Sequence, residues 1–164
     1  MVIPDLLRTA RYVAAAKLLA SDGQADRTAV LGDVGRRFTF VLTEGALRMW
    51  PGPGACMPDQ LGHLLSMIDE SNVRLGVVPA SVSIVSERWG VPLHGFTLFD
   101  DVPVTVETFT RELTLTHEEE VAAYAEIFEE FRMVECGSGV RRGTAMASAL
   151  MTRSVSCRVS IDQR

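Results

Sequence analysis

The side chains with the clearest chemical potential are two glutamates that close apolar runs. Glu44 follows Phe38-Thr39-Phe40-Val41-Leu42-Thr43, and Glu107 follows Val104-Thr105-Val106. A carboxylate at the end of a buried strand sits where sheet meets loop, the position from which a partly desolvated acid can move a proton. Arg48, Trp50, Trp89, His94 and Phe96 fall in or beside the neighbouring loops. Together they have the make-up of a small-molecule pocket: aromatic walls and a few polar anchors. The sequence therefore nominates Glu44 and Glu107 as catalytic acid or base. Arg48, Trp50, Trp89, His94 and Phe96 are nominated as ligand-binding residues. Each also has a structural use. A glutamate can pair with Arg48 or Arg111, His94 can be a satisfied loop histidine, and a tryptophan can plug the end of a core.

These residues must be positioned by a mixture of short helices and strands. Leu6, Leu7, Ala10, Val13, Ala14 and Leu18 recur at helical spacing, which predicts a helix from Asp5 to Ala20, closed by Ser21-Asp22-Gly23. Phe38–Leu42 predicts a strand, and Trp50-Pro51-Gly52-Pro53-Gly54 a loop. Pro58 suits the first turn of a helix whose stripe is Leu61, Leu64, Leu65 and Ile68. Strands are predicted at 73–78, 96–99 and 104–107, where Val102, Val104 and Val106 share one face. Thr116-His117-Glu118-Glu119 is a capping box for a helix whose apolar face is Val121, Tyr124, Phe128 and Phe131. A last helix is predicted from Arg141 to about Thr152. Beyond it, alternation through Val155, Cys157, Val159 and Ile161 reads as an edge strand or a loose tail over about 153–164. The fold class that follows is α+β: one domain over 1–164, with a small, mostly antiparallel sheet packed against several helices.

Composition narrows the chemistry. At 164 residues, 47% of them hydrophobic, the chain can bury a core without disulfide or metal staples. No apolar run reaches membrane-spanning length, and the N-terminus lacks the basic region of a secretory signal, so a cytoplasmic protein without membrane contact is expected. Cys56, Cys136 and Cys157 are far apart and odd in number, as reduced thiols are. His63, His94 and His117 stand singly, so no metal is expected. Lys17 is the only lysine and lies among alanines, which leaves no candidate for Schiff-base or phosphate-loop chemistry. No nucleotide fingerprint or nucleophile elbow is present, and no cofactor is expected.

One resemblance runs along most of the chain. It is carried by Ile3-Pro4, Leu6-Leu7 and Tyr12, by Val41-Leu42-Thr43-Glu44-Gly45-Ala46-Leu47-Arg48, and by Met57, Gln60-Leu61 and His63-Leu64-Leu65. It continues through Val73–Pro79, Gly95–Phe99, Val104–Glu107, Phe128 and Phe131-Arg132. In this order the segments resemble the antitoxin-like regulator domain of unknown function that follows an XRE-type helix-turn-helix, mostly in actinobacteria. The resemblance implies an α+β domain that senses or docks something, with no established catalysis. The chain opens on residues that match the start of that second part, so the reading expects no DNA-binding module. Ala25–Val30 replaces a longer Arg/Gln-rich segment of the family.

The function expected from these readings is a stand-alone regulatory domain that binds a small apolar molecule or a partner protein, and a homodimer is compatible with it. The alternative is a cofactor-independent cyclase or isomerase of actinobacterial natural-product biosynthesis, in which an apolar pocket folds a substrate and one carboxylate moves a proton. Direct nucleic-acid binding is not expected, because a net charge of −5 disfavours counterion release from a phosphate backbone. The purified chain should therefore show no tight duplex binding in a gel-shift assay at physiological salt. Submicromolar affinity that survives competitor DNA would contradict this reading.

Overall fold

In the computed structural model the described residues are 3–16, 28–52, 56–80, 94–99, 102–108, 110–137 and 157–163. The predicted helix at 141–152 lies outside them.

Strand β1 (Arg36–Thr43) leads directly into helix α2 (Glu44–Arg48); helix α3 (Cys56–Ile68) follows, and then strand β2 (Val73–Val78). β1 and β2 pair in parallel, with Phe38 opposite Val73 and Thr43 opposite Val78. A parallel pair needs a crossover, and α3 supplies it. The sequence of both strands suits burial on two faces. Phe38, Phe40, Leu42, Val73, Leu75 and Val77 join one core, while Val41 and Val78 join another. Near-continuous apolar runs are the mark of such strands.

The remaining strands are β3 (Phe96–Phe99), β4 (Val102–Glu107), β5 (Glu112–Leu115) and β6 (Cys157–Gln163), and the sheet order is β2-β1-β6-β3-β4-β5. β6 runs antiparallel to β1 and parallel to β3, and β3, β4 and β5 form an antiparallel meander. The fold is thus α+β in one small domain, with more antiparallel than parallel pairings.

Helices cover both faces. Helix α1 (Ala10–Ala16) and α3 pack with the N-terminal segment over one face, burying Ile3, Leu7, Tyr12, Met57, Leu61 and Leu64. Helix α4 (Glu118–Gly137) covers the opposite face, where Phe128 and Phe131 meet Val41, Val78, Phe96, Leu98, Val104 and Val106. This second core spans the parallel pair and the meander together.

Four sequence expectations are corrected. The helix predicted from Asp5 is split into a short 3-10 turn, Asp5–Leu7, and α1, because Arg8 is extended. Thr9 then starts α1, its Oγ1 accepting the Tyr12 N–H at 3.2 Å. Leu65, assigned to the buried stripe of α3, is 43% exposed. β5 was not anticipated, since its four residues are mostly exposed and carry no apolar run. Finally, β6 is neither a tail nor an edge strand but lies inside the sheet between β1 and β3. Alternation along a strand reports which faces are covered; it carries no information about lateral neighbours.

Phe128→Ala should destabilise the domain by about 3–5 kcal/mol, because a large side chain is lost from a core that joins both halves of the sheet. Leu65→Ala should change stability by less than about 0.5 kcal/mol, as a surface substitution does. Urea denaturation of the two variants checks both values.

Candidate functional site

Strand directions decide which ends of the sheet the nominated residues share. β6 opposes β1, β3 follows β6, and β4 opposes β3, so β4 runs in the same direction as β1. Glu44 and Glu107 therefore emerge at one edge, the carboxyl ends of β1, β2 and β4. His94, just ahead of β3, lies there too. β6 and β3 stand between the two glutamates' strands. At ordinary strand spacing that separates them by roughly 14 Å, too far to act as one acid/base pair.

Glu44 begins α2 and is buried, its side chain only 7% exposed. Its Oε1 lies 2.7 Å from Nη2 of Arg48, one helical turn on. Its Oε2 accepts the backbone N–H of Ala80 at 2.8 Å, which ties the exit of β2 to that of β1. The Glu44–Arg48 contact has ion-pair distance without hydrogen-bond alignment. Glu44 Oε1 and Arg48 Nη2 thus meet as an ion pair, while Arg48 Nε and the adjacent Thr43 Oγ1 are buried with no hydrogen-bond partner among the described residues. Buried polar atoms are nearly always satisfied, so two of them at one strand exit mark an unusual place.

Glu107 is half-exposed and receives a two-pronged contact from Arg8, Nη1 to Oε1 at 3.2 Å and Nη2 to Oε2 at 2.6 Å. The Arg8 side chain is 2% exposed, and its Nε donates to the Ile3 carbonyl at 2.6 Å. Arg111, the partner nominated from sequence, has another task. Its carbonyl accepts from the Thr108 hydroxyl at 2.6 Å and the Thr108 N–H at 2.9 Å, closing the β4–β5 turn. The N-terminal segment is pinned a second time by Gln60 of α3, which is fully buried. Its amide donates to the Leu7 carbonyl at 2.6 Å and accepts from the Thr9 N–H at 2.8 Å.

His94 is exposed, with Nε2 2.7 Å from the Tyr124 hydroxyl of α4. Phe96 meets the same tyrosine edge-on at 4.3 Å between centroids and belongs to the second core. Trp50 follows Met49 on the surface just past α2, both more than half exposed. Trp89 lies outside the described residues. The structure thus brings Glu44, Arg48 and Trp50 to one corner and places Glu107 and the His94–Tyr124 pair further along the same edge. Sequence reasoning missed Arg8, Gln60, Thr43 and Tyr124. Only Tyr124 carried a signal, as a polar-tipped aromatic on an otherwise apolar helix face. Among the described residues no three His, Cys, Asp or Glu side chains converge as metal ligands would.

A mixed sheet covered by helices on both faces, with Glu44, Arg48, Glu107 and His94 along one edge, defines the chain as an α+β domain. The chain belongs to the family described as Domain of unknown function (DUF5753), which matches residues 1–134. No curated protein and no solved structure matches it. Among the described residues no helix is long and apolar enough to cross a membrane.

Glu107→Ala should cost about 1–2 kcal/mol, since it removes the two-pronged partner of the buried Arg8 guanidinium and leaves it the longer 3.4 Å contact to Asp5 Oδ1; half-exposure of Glu107 also keeps the loss below that of a fully buried pair. Arg111→Ala should stay near wild type. A chemical-denaturation comparison of the two identifies which arginine holds Glu107.

Proposed function

We propose that this domain is the binding module of a regulator, taking a small molecule with an apolar body at the carboxyl edge of β1 and β2. Its setting is the antitoxin-like part of actinobacterial regulators that carry an XRE-type helix-turn-helix. The observation that carries the reading is the pair of buried atoms Thr43 Oγ1 and Arg48 Nε, which have no hydrogen-bond partner among the described residues at the exit of the parallel pair. A hydroxyl and one guanidinium N–H held there, beside exposed Met49 and Trp50, form a polar anchor next to apolar surface. Open sheets with parallel strands bind ligands outside those carboxyl ends because no side-chain layer closes them. The arginine partners of Glu44 and Glu107 support binding over proton transfer. A cyclase or isomerase would first have to release one of these carboxylates.

Thr43→Val separates anchoring from structure. Removing a buried hydroxyl that has no partner should leave stability unchanged or raise it by about 1 kcal/mol. The same substitution should weaken a ligand found by thermal-shift screening of small apolar carboxylic acids and alcohols at least tenfold, about 1.4 kcal/mol. Calorimetric titration of wild type, Thr43→Val and Trp50→Ala checks this. Unchanged affinity in both variants would remove this corner from the site.

A further inference from the structure

The Glu44–Arg48 pair cancels its own charge before any ligand arrives. The two side chains, 7% and 16% exposed, meet at 2.7 Å between Oε1 and Nη2, and the second glutamate oxygen, Oε2, is taken by the Ala80 N–H at 2.8 Å. What this corner has left over is hydrogen-bonding capacity without net charge. Arg48 Nε can only donate, whereas the Thr43 hydroxyl can donate or accept, and neither has a partner among the described residues. Thr43 also precedes α2 without giving its side chain to the helix as a cap, so the hydroxyl has no task in the element it opens.

Charge and hydrogen bonding then select different head groups. A carboxylate entering the corner surrenders its hydration and meets a guanidinium already neutralised by Glu44, so it adds an uncompensated negative charge to a buried pair. An uncharged oxygen surrenders far less. It can accept from Arg48 Nε or pair with the Thr43 hydroxyl, and either bond satisfies a group that is costly to leave unmade.

We infer that the ligand of this corner carries an uncharged oxygen at its polar end, an alcohol hydroxyl or an amide or ester carbonyl, and that Glu44 is the residue that discriminates against carboxylates and phosphates. The inference rests on the binding reading proposed above and adds to it the charge of the head group. Specificity of this kind needs a repulsive element as well as an attractive one. Arg48 Nε and Thr43 supply the attraction, and the negative charge of Glu44 supplies the exclusion. A buried glutamate beside a binding corner thus has a use that involves no proton transfer.

The test titrates the full chain calorimetrically with three probes of equal apolar length, hexanamide, hexanol and hexanoate, at about pH 7.5, where the acid is ionised. The wild type should bind hexanamide and hexanol at least about tenfold more tightly than hexanoate. Glu44→Gln keeps an oxygen for the Ala80 N–H and removes the charge that cancels Arg48, so in this variant hexanoate should overtake hexanamide. A neutral preference that persists unchanged in Glu44→Gln belongs to apolar contact alone and overturns the role of Glu44. A wild type that binds hexanoate as tightly as hexanamide overturns it too. Thr43→Val identifies the other failure: neutral probes that bind this variant as they bind the wild type sit elsewhere, which overturns the binding reading itself, and no binding of any probe does the same. If circular dichroism shows Glu44→Gln unfolded, Arg48→Gln takes its place. That variant leaves a negative corner, and the preference for hexanamide over hexanoate should widen at least about tenfold; a preference equal to that of wild type overturns the inference.

Discussion

The parallel pairing of β1 with β2 is the constraint on which the rest of the structure depends. Two strands can run in parallel only if the chain crosses back over a face, and both faces must then be covered. The crossover helix α3 covers one face and brings Gln60 under the N-terminal segment, while α4 is left to cover the other. Thr43 and Val78 sit opposite each other at the ends of that pair, which gathers Glu44, Arg48 and Ala80 at one corner. The candidate site is thus a consequence of strand direction before any side chain is considered.

Apolar burial alone does not locate the N-terminal segment, because Ile3 and Leu7 could slide along an apolar face at little cost. Two buried polar side chains remove that freedom, and a third, Asn72, does the same for the residues that lead into β1. Gln60 engages the backbone on either side of Arg8, Arg8 reaches across to β4, and Asn72 donates to the Leu31 and Asp33 carbonyls at 3.0 Å each. Each bond is modest in net energy, but leaving any of these groups unpaired in the interior is costly, so alternative registers are penalised. Arg8 has a second effect. Glu107 stands directly opposite Glu112 on β5, an unfavourable like-charge pair, and the guanidinium offsets that repulsion where the meander ends.

How much of this was legible follows the range of each interaction. The strands at 36–43, 73–78 and 96–99 were legible because local apolar runs specify them, and the Glu44–Arg48 pairing was legible from its one-turn spacing. The Arg8–Glu107 contact joins residues 99 apart, and nothing near Arg8 announces its partner. Arg8 is extended at a point where periodicity alone would continue one helix from Asp5 to Ala20. β5 escaped because four exposed residues generate no periodic signal, and the interior place of β6 escaped because period-two patterning is blind to neighbours. Within the candidate site, residue types pointed to Glu44 and Arg48. The neighbouring Thr43 gains its significance only from burial, which a lone threonine in a strand does not reveal.

The two glutamates show how placement at a strand end differs from readiness for chemistry. A carboxylate can serve as a base when desolvation leaves it without a compensating charge. At the edge of this sheet each carboxylate is instead met by an arginine, from one turn away in α2 for Glu44 and from the N-terminal segment for Glu107. Beside the Glu44–Arg48 pair, the Thr43 hydroxyl and Arg48 Nε are buried without a hydrogen-bond partner among the described residues. In the binding reading proposed above, these two groups are the ones left to meet an oxygen-bearing ligand.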